Sequence, residues 1–226
     1  MRRLSLFFLL FVAAPASPAL AGTTVEVVKV RDNSLIASFD QFIATCPGGI
    51  DSAMSIQWNS TVIRADGVTT QTAIIVDMRY VNTCTGDSLL MSGFSLAPNG
   101  TVSTDLSTGH IDAVVPVATD PGDPTVQPPR SATVTLSLNF TGTGPTSTIR
   151  DTSHTNDGAI KTVDNFTISS RSGVATGTAT AVLPLNDPKH KGRTVPTFVN
   201  LIGAPSLSAT LGKDAFGNIT ITRKTP

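Results

Sequence analysis

The chain carries 226 residues, 16 Lys and Arg against 16 Asp and Glu, three histidines, and 5% aromatic residues. So even a balance gives no concentrated basic surface of the kind nucleic acid requires, and no nucleic-acid partner is expected. Glu26 is the sole glutamate. Aspartate makes up the other acids and favours turns over helix interiors, which points away from a helical protein.

Residues 1–21 read as an export signal. Arg2 and Arg3 precede an apolar run over 4–14, and Ala19-Leu20-Ala21 forms a small-x-small cleavage pattern before Gly22. The apolar run is well short of the roughly 20 residues that span a bilayer as a helix. Cleavage removes two arginines and leaves 22–226 with a net charge of −2. The mature protein is expected to be secreted, extracellular or periplasmic, with no transmembrane segment and with a surface or extracellular partner of unknown identity. Its two cysteines, Cys46 and Cys84, are expected to pair, because an oxidising compartment favours the disulfide. Neither cysteine has the close spacing or histidine neighbours of a zinc site.

Beyond the signal, apolar residues recur at every second position. In chain order, strands are expected at 23–31 and 34–43, separated by a turn at Asp32-Asn33. Others are expected around Met54-Ile56-Trp58 and Ile74-Val76-Met78-Tyr80, then at 88–96, 110–117, 132–142, 166–170, 174–185, 197–201, 206–211 and 218–223. The clearest is 132–142, with Val134, Leu136, Leu138 and Phe140 on one side and Thr133, Thr135, Ser137 and Asn139 on the other. Continuing the phase of Ile74 to Tyr80 places Cys84 on the core side, where a bridge to the segment after Phe42 would pin two strands. Ala175, Gly177, Ala179 and Ala181 leave one face of a strand small, inviting close approach of another sheet or loop. Further turns are expected at Pro47-Gly48-Gly49, Asp66-Gly67, Thr85-Gly86-Asp87, Pro98-Asn99-Gly100, Asn156-Asp157-Gly158 and Gly217-Asn218. Many short strands without helical periods predict an all-β protein, an antiparallel β-sandwich with one disulfide and little or no helix after the signal.

Two proline-rich stretches, 118–129 and 186–196, read as loops or linkers. Each follows a similar phrase, Ala113-Val114-Val115-Pro116-Val117 and Ala181-Val182-Leu183-Pro184-Leu185. The expected organisation is one domain over 22–226; the alternative is two β halves, 22–117 and 130–226, joined by the first stretch. The run Asp77 to Asp87, the phrase Ala113 to Val117, the segment ending Asn139-Phe140-Thr141-Gly142-Thr143-Gly144 and the closing Asn218-Ile219-Thr220-Ile221-Thr222-Arg223 resemble a loose group of secreted bacterial β-rich proteins with no established activity. That resemblance covers most of the mature chain, implies export and β-structure, and carries over no functional residue. The group typically has a tryptophan where this chain has Phe140.

No catalytic residue is expected. His110, His154 and His190 lie on separate segments, outside any metal-ligand or triad spacing. Ser153-His154-Thr155-Asn156-Asp157 collects a hydroxyl, an imidazole and a carboxylate on one hairpin, but strand neighbours point to opposite faces. Gly93-Phe94-Ser95-Leu96-Ala97 only approximates a nucleophile elbow and reads as core strand. A carboxylate pair of the glycosidase type would have to be created by the fold. No cofactor or metal is expected; Asp120-Pro121-Gly122-Asp123 and Asn156-Asp157 are the places a calcium ion would sit if one bound. Trp58 and Tyr80 share the phase of apolar neighbours and read as core, leaving loop residue Phe216 as the free aromatic. Lys189-His190-Lys191-Gly192-Arg193 is the one local basic cluster, able to touch anionic polysaccharide or lipid headgroups if it is more than a solvated loop. The sequons beginning at Asn59, Asn99, Asn139, Asn165 and Asn218 follow from a Ser/Thr-rich composition. The resulting expectation is an exported, non-enzymatic β-sandwich with a structural or adhesive role. The alternative is a calcium- or carbohydrate-binding module working through end loops. A transmembrane barrel is disfavoured, because aromatic girdles are lacking.

Overall fold

The computed structural model describes residues 23–46, 49–65, 67–96, 98–120, 129–157, 160–187, 189–190 and 192–224, and side chains are described up to residue 215. The strands are β1 (Thr23–Ile43), β2 (Ile50–Arg64), β3 (Val68–Asn82), β4 (Ser88–Leu96), β5 (Asn99–Val102), β6 (Thr108–Thr119), β7 (Ser131–Gly142), β8 (Ser147–Asp157), β9 (Ile160–Asn186), β10 (Thr194–Asn200) and β11 (Ser208–Lys224). Every pairing among them is antiparallel, and the described residues contain no helix. Accordingly, no helix among them is long and apolar enough to cross a membrane.

The pairings close on themselves in the order β9-β11-β1-β2-β3-β4-β6-β7-β9, while β5, β8 and β10 flank the ring. β1 and β11, from opposite ends of the described chain, pair from Thr23–Lys224 to Ser38–Ser208. The ring is flattened into two layers around one apolar core. Leu35 and Trp58 from one layer reach Gly109 and Gly100 in the other, and an added Cβ on Gly100 would lie 2.4 Å from the indole. Alternation sorts the side chains as anticipated. Leu35, Ala37 and Phe39, Met54, Ile56 and Trp58, Ile74, Val76, Met78 and Tyr80, and Val134, Leu136, Leu138 and Phe140 are all buried. The layers meet at a tight seam. β4 pairs with β6 only through Met91–Gly93, where a Cβ on Gly93 would fall 1.9 Å from the Pro116 carbonyl oxygen.

Several strands run through expected turns. Asp32-Asn33 lies inside β1, since partners on both sides, Thr61 and Ser60 in β2 and Asp214 and Lys213 in β11, hold the backbone extended. Expected strands 166–170 and 174–185 merge into β9, and 206–211 and 218–223 into β11. Gly217-Asn218 makes no turn; it falls at a register shift, where the chain absorbs extra length as a bulge. Phe216 is thereby in a strand and not in a loop. Asn99-Gly100 pairs with β6 as β5, and the hairpin carrying His154 is a full strand, β8. The small stripe on β9 meets both kinds of neighbour. Gly177 lies against the β7 backbone at φ 142°, and Ser206 donates its backbone N–H to the Ala175 carbonyl.

The disulfide forms between Cys46 and Cys84, with Cα atoms 5.8 Å apart. Its position corrects the expectation of a core-side thiol. β3 ends at Asn82, a turn follows, and both half-cystines are exposed. Gly49 N–H points at Cys84 Sγ (3.3 Å), so the bridge clasps the β1–β2 connection to the β3–β4 turn.

Candidate functional site

The outer face of the layer containing β6, β7, β9 and β10, continued across the seam by β4, carries two neighbouring features, a polar cluster and an apolar groove. Both arise from strand parity, because the residues alternating with the core positions of these strands must face outward.

The polar cluster is built on β6 and β7. His110 Nδ1 lies 2.9 Å from Asn139 Oδ1 and Nε2 2.7 Å from Asp112 Oδ2, so the ring donates to both oxygens when it is protonated. The hydrogen bond to Asp112, helped by Asn139, raises the His110 pKa against a smaller opposing effect of burial. Asp112 is lowered by its bonds to His110 and to Ser137, its cross-strand partner. A hydroxyl, an imidazole and a carboxylate thus meet here in an order unsuited to nucleophilic catalysis. Ser137 bonds the carboxylate and not the ring, and both ring nitrogens are turned to Asp112 and Asn139, so neither is aimed at the Ser137 hydroxyl.

The groove, about 1000 Å³, runs from β4 to β10 and is lined by Phe94, Pro116, Val182 and Phe198 with the hydroxyls of Ser92, Thr133, Thr135 and Thr180. Phe94 is 64% exposed and Phe198 70%. Phe94 therefore departs from its core assignment. In β4 the buried residues are Leu89 and Met91, so Phe94 and Leu96 take the outward parity. None of the lining residues titrates.

The other candidates are dispersed. His154 is exposed on β8, opposite Val163, and alternation sends Ser153 to the other face, opposite Asp164. His190 bonds Asp187 Oδ2 through Nδ1 (2.7 Å), which lowers the Asp187 pKa; Lys189 caps the same carboxylate through its backbone N–H. The basic cluster on the β9–β10 loop is therefore pinned to an acid, while Lys191 lies outside the described residues. Asp120 and Asn156-Asp157 are described and Pro121-Gly122-Asp123 are not; among the described residues no three His, Cys, Asp or Glu side chains gather as a metal site.

Two constellations had no local signature. Asp87, expected as a turn residue, is buried and bound to Arg130 Nη1 (3.3 Å) and to both the backbone N–H and the side-chain amide of Asn186. Arg130 also donates to the Pro184 carbonyl (3.0 Å), which ties β7, β9 and the β3–β4 turn together beside the disulfide. Asp32 and Asp214 stand directly opposite on β1 and β11. Burial raises the Asp32 pKa against a hydrogen bond from Thr61. This is a fold-created carboxylate pair, but it sits on a strand-paired face between Thr61 and Ile168 and outside the groove.

No protein-family model, curated protein or solved structure matches the chain.

Proposed function

We propose that this is an exported, non-enzymatic β-sandwich that acts by adhesion, holding an extracellular partner in the Phe94–Phe198 groove. One observation carries the reading: the groove pairs exposed aromatic faces with hydroxyls and is lined by no group able to exchange a proton near neutral pH. Such a surface binds and does not turn over. The export pattern of residues 1–21 and the Cys46–Cys84 bridge support an oxidising destination outside the cytoplasm.

Phenyl rings beside hydroxyls favour the pyranose faces and hydroxyls of a neutral glycan as the chemistry of that partner. This moves carbohydrate binding from the end loops to the sheet face. Calorimetric titration with cellulose, chitin and xylan oligomers tests it. Binding by at least one oligomer is expected, weakened about tenfold or more in Phe94→Ser/Phe198→Ser, as expected when a well-packed aromatic anchor is lost. Equal binding by the double variant, or turnover of a glycan, ester or peptide that one point substitution abolishes, overturns the proposal.

A further inference from the structure

Away from the core the sheet continues as a single layer, formed by β8, the first half of β9, β11, the first half of β1, the end of β2 and the start of β3. All of β8 is exposed on both faces. Charge in this part of the sheet is sorted by parity with one exception, Arg223, whose partners Thr24 and Ile160 place it at a register position on the carboxylate face. On β1, Lys29 and Arg31 share the phase of core residue Leu35, and the β1–β2 register is unbroken from Lys29 to Ile43. Arg64, Arg150, Lys161 and Lys213 follow the same face through their registers, and Arg171 borders it with Nε on the Gly144 carbonyl (3.0 Å). Glu26, Asp32, Asp151, Asp157, Asp164 and Asp214 take the opposite parity. On the basic face, Asp105 approaches from a neighbouring turn at the core end, beside Lys213, with its carboxylate already held by Ser103 and Ser107.

We propose that this basic face binds an acidic polysaccharide. Lys29 and Arg64 are direct cross-strand partners, and Arg31 shares a row with Thr167 and Arg150. Like charges directly opposite are unfavourable, so an anion between them relieves a cost the fold otherwise bears. Strand spacing of about 4.8 Å and a same-face repeat of about 6.7 Å spread the cations over roughly 19 Å across the strands and roughly 27 Å along them, the extent of several sugar residues. Between the cations lie Thr148, Asn165, Thr167 and Ser169, donors and acceptors for sugar hydroxyls. Single-stranded nucleic acid needs aromatic stacking platforms. Phe166, the aromatic of β9 in this region, has the opposite parity. Reading a duplex needs an element that enters a groove, and this surface is flat.

The face is distinct from the phenylalanine groove, so the two proposals fail separately. The purified protein is titrated with polygalacturonate, with neutral dextran, with single- and double-stranded oligonucleotides, and with phosphatidylglycerol vesicles. Polygalacturonate is expected to bind with an affinity that falls steeply between about 50 and 200 mM salt, and dextran is expected not to bind. Lys29→Ser/Arg31→Ser/Arg150→Ser should weaken it by about tenfold or more and flatten the salt slope. Asp151→Asn/Asp157→Asn and the Phe94→Ser/Phe198→Ser variant should bind polygalacturonate as the parent does. Should the triple variant lose its fold, Arg150→Gln with the salt slope of the parent answers the same question. The proposal is overturned if polygalacturonate fails to bind, if it binds without salt dependence, if removing the basic side chains leaves it unchanged, or if oligonucleotide or vesicle binds more tightly.

Discussion

Asp87 shows how much one side chain can hold. It sits 6% exposed at the end of the β3–β4 turn, with a guanidinium, a side-chain amide and a backbone N–H around it. Removing one member of a buried ion pair strands the other, which typically costs about 3–5 kcal/mol, whereas replacing both with apolar groups costs far less. Asp87→Ala is expected to destabilise by about that amount in urea unfolding, and Asp87→Ala/Arg130→Met to recover part of it. Additive losses would show that the two residues act independently. Nothing local marked Asp87 for this role. Thr85-Gly86-Asp87 reads as a turn and is one, with Gly86 at φ 73°, but the partners come from 43 and 99 positions away. Phe94 differs: in the sequence Leu90, Phe94 and Leu96 make an apolar phase as strong as that of Leu89 and Met91, and only the fold, by burying Leu89 and Met91, turned Phe94 outward.

At the scale of the strand, β6 and β7 make the His110–Asp112–Asn139 cluster because consecutive outward positions of one strand oppose those of the next. Its electrostatics predict a pH window. His110 has a raised folded pKa, so its contribution is complete below the ordinary value of 6.5 and is lost as pH rises through the folded value. Asp112 has a lowered one, so its contribution is present above 3.8 and is lost as pH falls through its folded value. The stability difference between the parent and His110→Gln, followed by urea midpoint, should therefore be largest between pH 3.8 and 6.5 and shrink on either side. A difference that grows toward pH 9 would contradict this assignment. Alternation was readable in most strands of the core, β4 excepted; strand length was not. The Asp32-Asn33 pair prefers a turn in isolation, but hydrogen bonding on both edges outweighs a local preference of that size.

For the whole molecule, one bridge joins residues 38 apart in sequence, and in the chain-entropy account closing such a loop stabilises by about 4 kcal/mol. Cys46→Ser/Cys84→Ser is expected to lower Tm by about 8–16 °C, given the size dependence of the unfolding entropy. A shift within about 2 °C would mean that the turns stay together without the clasp.

The sequence by itself determined the β class, most of the inward residues and the cysteine pair, because burial on a strand repeats every two residues and each of these is a local or compositional property. Only the tertiary structure decided ring closure, the Asp87–Arg130–Asn186 latch, the groove between Phe94 and Phe198, and the sorting of all described cations but Arg223 away from the carboxylates of the single layer. The last is the clearest case. A charge count of 16 against 16 sums over the chain and hides direction, whereas register sets which face each charge occupies, and register depends on partners distant in sequence.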